Sequence, residues 1–196
     1  MNLENFIRSF IDEQQSCMTF LKSNPHTIIN ICNQLLVARK KGKKIFVFGN
    51  GGSGSTASHF VSDLLKTAIT KKEKRFKAIS LTDNIPVILA WSNDASYDDI
   101  FIEQLKNHLS KGDILIGFSG SGNSKNILKA LKFGKKNGGI CLGFTGKSGG
   151  KMNKFCDICL KIPSQDMLSI ESQHVMVCHG IISIIRSSGE PVFKYE

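Results

Sequence analysis

Apolar positions in this chain follow two rhythms. Over residues 3 to 21 and about 26 to 41 they recur at helical spacing, with Phe6, Phe10, Met18 and Leu21 in the first stretch and Ile28, Ile29, Ile31, Leu35 and Leu36 in the second. Asn24 and Pro25 break the pattern between them, so a helix pair is expected before anything else. From there on, short apolar runs alternate with helical stretches. Ile45 to Phe48, Phe76 to Leu81, Asp113 to Phe118, Gly139 to Phe144 and Ile158 to Ile162 read as strands. Helices are expected from Ser55, from Thr82–Asn84 with Pro86 just inside and WSND (91–94) at the end, over Tyr97 to Asn107, over Lys125 to Lys136, and over about 169 to 186.

Strands that alternate with helices, each an unbroken apolar run, argue for a parallel sheet covered on both faces. The expected fold is therefore α/β, a three-layer α-β-α sandwich with a five-stranded parallel sheet, preceded by the helix pair. The 196 residues suit one domain, with 1–42 as the helical pair and 43–196 as the sandwich. The pair carries more apolar residues than one small sheet needs, which leaves surface for a partner subunit.

In such sheets ligands gather at the carboxyl ends of the strands. Two Gly/Ser loops occupy that position here. The first, Gly49 to Ser55, turns a strand into a helix; its backbone N–H groups, the helix dipole and the hydroxyls of Ser53 and Ser55 attract an anion. The second, SGSGNS (119–124), offers Ser119, Ser121 and Ser124 at the start of another helix, which suits one phosphate group or a plain serine cap. The pair of loops favours the phosphate. GNGGSG (49–54) also matches a dinucleotide fingerprint, but the acid that reading requires lies too far on, at Asp83, within a helix-cap sequence. Gly146, Lys147 and Ser148 end like a triphosphate loop, yet Cys141 stands where its first glycine belongs. No nucleotide cofactor is expected.

Charge and cysteines change little. The net charge of +10 is densest at Lys71, Lys72, Lys74, Arg75 and Lys77, a run without interleaved aromatics, so it reads as a solvated loop and not a nucleic-acid surface. No stretch approaches 18 uninterrupted apolar residues and the first residues lack the order of a signal peptide, so a cytoplasmic location and no membrane contact are expected. The six cysteines are then reduced. Cys156 and Cys159 form a C-x-x-C with no second pair at zinc-site spacing, and FCDICLKI alternates like a strand, so they read as packing thiols.

His59 and Asp63, four apart, face the same way on the first sandwich helix. Alone they would suit a surface pair. Glu171, His174 and His179, however, lie in an amphipathic last helix among Ile170, Val175, Val177, Ile181 and Ile182, where polar groups are costly to bury. Histidine and carboxylate together are ligands for a borderline metal, or acid and base beside a carbonyl. Eight residues of helix rise about 12 Å. Glu171 and His179 therefore share an ion only if Glu171 precedes the helix; otherwise they serve sites completed by different subunits, and an interfacial site is expected.

These motifs in this order (GNGGS, HF with an acid four after the histidine, SND, SGSGNS, TGKSGGKM and the final Glu…His…His helix) resemble the phosphoheptose isomerases of the sugar isomerase (SIS) domain superfamily, over nearly the whole chain. The resemblance implies a flavodoxin-like SIS fold and an aldose-ketose isomerase. The reaction would convert D-sedoheptulose 7-phosphate to D-glycero-D-manno-heptose 7-phosphate through an enediol, for nucleotide-activated heptose and surface polysaccharide. It also implies a homotetramer with interfacial active sites and one zinc per subunit. Carried over by position, Asn50, Gly51, Gly52, Ser53, Asn93 and Asp94 would contact the sugar phosphate, and Ser119, Gly120, Ser121 and Ser124 would hold its phosphate. Asp63, Glu171 and His179 would be catalytic, and His59, Asp63, Glu171 and His179 would supply the metal ligands. Asp63 stands where the family has glutamate, Glu171 where it has glutamine, and Gly120 where it has a bulkier hydroxyl residue. Those exchanges keep two other readings open, an isomerase of another sugar phosphate and a non-catalytic SIS module for sugar-phosphate binding or protein interaction. Retention of His59 and His179 argues against the second.

Overall fold

A computed structural model describes residues 2–194. The helix pair is α1 (Leu3–Ser23) and α2 (His26–Lys41). The Asn2 side chain accepts from the backbone N–H groups of Glu4 and Asn5 to start α1, and Gly42, at φ 64°, ends α2 in the left-handed conformation. The strands are β1 (Lys44–Gly49), β2 (Lys77–Ser80), β3 (Ile114–Phe118), β4 (Ile140–Thr145) and β5 (Ile158–Lys161). Between and after them come α3 (Gly52–Ser62), α4 (Ile85–Asp94), α5 (Ile102–His108), α6 (Lys125–Lys136) and α7 (Met167–Ser187).

All four strand pairings are parallel, in the order β2-β1-β3-β4-β5. Alternate residues of each strand feed two cores. Ile45, Val47, Ile116, Phe118 and Phe144 pack with Leu35 of α2, Phe60 of α3 and Val177 and Ile181 of α7. On the opposite face Phe46, Phe48 and Leu115 pack with Phe101, Leu105, Ile127 and Leu131. The order reverses between β1 and β3, so α3 and α6 leave neighbouring strand ends toward opposite faces and open a crevice between their first turns.

The expected elements are present, with shifts that have local causes. α3 begins at Gly52, not Ser55, because Gly51 adopts φ 54° and the bare Gly49 lets the helix fold back onto the strand; a side-chain carbon there would lie 2.4 Å from the Ser53 carbonyl oxygen. The helix expected over Tyr97 to Asn107 divides into a 3-10 turn, Tyr97–Asp99, and α5. Asn84 caps α4, while Asp83 accepts from the hydroxyls of Ser58 and Ser80. α7 starts at Met167, capped by Asp166, so Glu171 and His179 lie in one regular helix. Of the described residues only α7 is long and apolar enough to cross a membrane, and half of that window is buried inside the fold.

Two surfaces stay apolar. Leu3, Phe6, Ile7, Ile11 and Phe20 of α1 are exposed, and α4 buries none of its residues despite Ile85 and Leu89.

His174 is a core residue. Its ring lies 5.7 Å from Phe118 and 5.8 Å from Phe144, and Nε2 lies 3.3 Å from the Thr145 carbonyl oxygen, which can only accept. Nε2 therefore carries the proton, and Nδ1 has no partner. Burial pushes the His174 pKa down to about 4, against the opposing Thr145 bond. Because the unfolded chain takes up this proton near 6.5 and the folded chain only near 4, stability is complete above pH 6.5 and declines as pH falls through that window. Denaturation midpoints should drop between pH 6.5 and 4, by about 3 kcal/mol in all from this group. His174→Phe should flatten the slope; an unchanged slope would assign the acid sensitivity elsewhere.

Candidate functional site

The site starts where β1 ends. Asn50 is fixed on three sides: its Nδ2 donates to Asn126 Oδ1 at 3.0 Å, while its Oδ1 accepts from Asn126 Nδ2 at 2.9 Å and from the Tyr97 hydroxyl at 2.9 Å. Gly52 opens α3 against α7. A side-chain carbon on Gly52 would stand 2.3 Å from Glu171 Oε2, so the Glu171 carboxylate rests on the backbone of the first turn of α3. Ser53 Oγ donates to Glu171 Oε1 at 3.3 Å. An acid at this place also meets the positive end of the helix.

Across the crevice, Ser119 Oγ lies 3.5 Å from Ser121 Oγ and 3.1 Å from Ser124 Oγ. Ser124 precedes α6 without spending its hydroxyl on a cap bond. Asn50, Ser53, Ser119, Gly120, Ser121, Ser124, Met167 and Glu171 line one cavity of about 120 Å³ there. Converging hydroxyls at a helix N-terminus suit a phosphate group, with the Glu171 carboxylate at the margin of the same cavity. The place a side chain on Gly120 would take is filled by Met167, whose Sδ lies 2.3 Å from it.

The third component lies further along α3. After Ser62 the helix widens into a π-turn, Asp63–Thr67, closed by Ala68 N donating to the Asp63 carbonyl at 2.8 Å. Thr67 Oγ1 donates to Asp63 Oδ1 at 2.9 Å, which turns Oδ2 toward two histidines. Oδ2 stands 3.6 Å from His59 Nε2 and 3.8 Å from His179 Nε2, and the two Nε2 atoms are 3.3 Å apart. Donors about 2.0–2.1 Å from a tetrahedral ion stand about 3.3 Å from one another. The triad therefore fits a divalent cation, with the histidines half-exposed and Asp63 largely buried. Burial, and secondarily the nearby Asp63, pushes the thiol of Cys178 upward.

His59, Asp63 and His179 thus come together, and Glu171 stands apart from them. It also lines a cavity of about 290 Å³ shared with Gly52, Ser55, Thr56 and His59. Its carboxylate therefore faces the serine cradle on one side and the space beside His59 on the other. Glu171 is not one of the three residues whose donor atoms converge, and eight residues of helix rise about 12 Å between it and His179. Asn93 and Asp94 sit at the exposed end of α4, where Asn93 Nδ2 donates to Asp94 Oδ1 at 2.7 Å, and they line neither cavity. Sequence reasoning missed Asn126, Tyr97, Thr67 and Met167. Asn126 carries a trace of its role, as a polar residue on the buried face of α6; the other three carry none.

The SIS domain family profile matches residues 9–146. A phosphoheptose isomerase from Aliarcobacter butzleri is 38% identical over 180 residues, spanning 91% of this chain and 94% of its own length. Among solved structures, a phosphoheptose isomerase from Francisella tularensis superposes with a TM-score of 0.89 at 28% identity, covering 95% of this chain and all of its own. One from Neisseria gonorrhoeae gives 0.86 at 26% identity, over 95% of this chain.

If the serines hold a phosphate, Ser119→Ala and Ser124→Ala should each weaken inorganic phosphate binding about tenfold, the cost of a lost hydrogen bond to a charged group. A calorimetric titration checks this, and an unchanged affinity would remove that hydroxyl from the cradle.

Proposed function

Since the chain belongs to the phosphoheptose isomerases of the SIS domain family, we propose that Glu171 and the His59–Asp63–His179 cluster together perform its aldose-ketose isomerisation. The enzyme is a sugar-phosphate isomerase that interconverts D-sedoheptulose 7-phosphate and D-glycero-D-manno-heptose 7-phosphate. One observation carries the assignment of roles: the Glu171 carboxylate lies between the serine cradle and the histidine cluster.

Aldose and ketose differ by a proton moved between C1 and C2 through an enediol, which one carboxylate can remove and return, and by a hydroxyl proton moved between O1 and O2, which the same carboxylate or water can carry. In this reading Ser119, Ser121 and Ser124 hold the phosphate, and the backbone at Gly120 closes the loop beneath it. Asn50, Gly51, Gly52 and Ser53 align the chain of the sugar. Binding energy at the phosphate end then orients the reacting end. Glu171 carries the carbon-bound proton. Asp63, held by Thr67 and turned toward two histidines, serves as a ligand with His59 and His179. His179 Nε2 cannot hold an ion and a proton at once, so in the loaded enzyme it is a ligand. When bound there, zinc would polarise the substrate oxygens. The exchange of acids relative to the family is then a division of labour, with the shorter Asp63 at the cluster and the charged Glu171 at the substrate.

The assembly in this reading is a cytoplasmic homotetramer with sites at its interfaces. Support comes from the exposed apolar face of α1 and from α4, which buries none of its own residues. A neighbouring copy packed there would cover Ile85 and Leu89 and bring Asn93 and Asp94 to a site. Residues 1–42 would supply much of the contact.

Incubation with D-sedoheptulose 7-phosphate in deuterated water should yield aldose carrying deuterium at C2 by NMR. Glu171→Gln should slow that exchange about 100-fold while the sugar phosphate still binds. Full activity in this variant would move the base elsewhere, and no conversion by the unaltered enzyme would overturn the substrate.

Zinc titration of the metal-free protein should saturate at one ion per chain. His59→Ala should weaken it about 100-fold, whereas Glu171→Gln should leave it nearly unchanged. An equal loss in Glu171→Gln would return Glu171 to the ligand set.

A further inference from the structure

Away from this site, two sulfur atoms share one space at the β5 edge of the sheet. Cys156 follows a 3-10 turn, Gly150–Lys154, with its N–H donating to the Met152 carbonyl at 3.1 Å. Cys159 lies within β5, opposite Gly143 of β4. Gly143 is unusual in a strand interior, where glycine costs stability and marks a close approach. A side-chain carbon there would lie 2.6 Å from Cys156 Sγ and 3.3 Å from Cys159 Sγ. The missing side chain is the room in which the two thiols meet.

Both cysteines are half-buried and line a cavity of about 500 Å³ between β5 and the α1–α2 turn, together with Phe20, Thr27 and Lys161. The other four cysteines are buried. The pair is electrically unequal. The neighbouring Cys156 thiol draws the Cys159 pKa down, with Thr145 and Lys161 assisting against burial. The neighbouring Cys159, then burial and Asp157, push Cys156 upward. The lowered Cys159 and the raised Cys156 divide the roles that a nucleophilic and a resolving cysteine need.

We propose that Cys156 and Cys159 form a redox-active dithiol that low-molecular-weight disulfides of the glutathione class convert to an intramolecular disulfide. The Cys159 thiolate attacks one sulfur of the small disulfide; a Cys159–sulfur bond forms, the old sulfur–sulfur bond breaks, and the departing thiolate takes a proton from water. Cys156 then loses its proton and attacks Cys159 Sγ, which expels the second small thiolate, and this takes up the released proton. The two protein thiols lose two electrons and two protons in all, and the small disulfide becomes two thiols. The product ties the 3-10 turn to β5.

The test uses the full chain treated with oxidised glutathione, blocked with iodoacetamide and mapped by mass spectrometry; tryptic peptide 155–161 contains both cysteines. That peptide should lose the mass of two hydrogens and resist alkylation until dithiothreitol is added, while Cys17, Cys32, Cys141 and Cys178 remain thiols. Cys156→Ser should stop with one glutathione on Cys159, and Cys159→Ser should carry none on Cys156. In the unaltered chain, limiting iodoacetamide at neutral pH should label Cys159 about tenfold faster than any other cysteine. Two alkylatable thiols persisting in peptide 155–161 after oxidation, or glutathione settling on Cys156, would overturn the proposal.

Discussion

Everything at the candidate site depends on how closely α3 and α7 approach each other at the end of β1. The Glu171 carboxylate occupies the space that a side chain on Gly52 would need, and Gly49 lets α3 fold back over the strand so that Gly52 is where Glu171 can reach it. About two turns further along the same pair of helices, the contact brings His59 and Asp63 to His179. A wider helix spacing would separate both groups at once. The contact is maintained by the sheet face beneath it, where Phe60, Val177 and Ile181 are buried.

The position at the reversal of strand order explains why the binding and reacting parts are adjacent yet separate. The serine loop follows β3 and introduces α6 on one face, while Glu171 and the histidines belong to helices on the other. The crevice therefore presents hydroxyl donors at one end and a carboxylate and imidazoles at the other. The partners that hold this geometry, Asn126 and Tyr97 for Asn50 and Thr67 for Asp63, need not touch the substrate themselves. Arg186 reinforces the last of these by donating to the Thr67 carbonyl at 2.9 Å, which secures the π-turn from α7.

The architecture was legible because each strand is a closed apolar run and each loop carries glycine or a cap residue. The two Gly/Ser loops were legible for the same reason. His59 and Asp63 could be paired from their spacing, but their meeting with His179 rests on packing between elements 120 residues apart, which no local pattern encodes. His174 and His179 look alike in the sequence, and only the core separates them, one buried between Phe118 and Phe144 and the other half-exposed. The separation of Glu171 from the cluster followed from helical rise alone, once α7 was known to be regular through both residues. Asn93 and Asp94 show where a single chain stops being informative, because their surroundings here are solvent. Cys156 and Cys159 followed the alternation of a strand, yet the strand begins at Ile158, and what brings the sulfurs together is a glycine on the neighbouring strand.

Because α7 follows every strand in chain order, Glu171 and His179 emerge from the ribosome only after the sheet and the serine loop. A nascent chain that has already completed its sheet and serine loop has neither Glu171 nor His179 in place. Such a chain has the crevice between α3 and α6 but only two of the three donors, His59 and Asp63. The cluster therefore closes only when α7 docks against a sheet made before it, so its geometry reports on the completion of the fold.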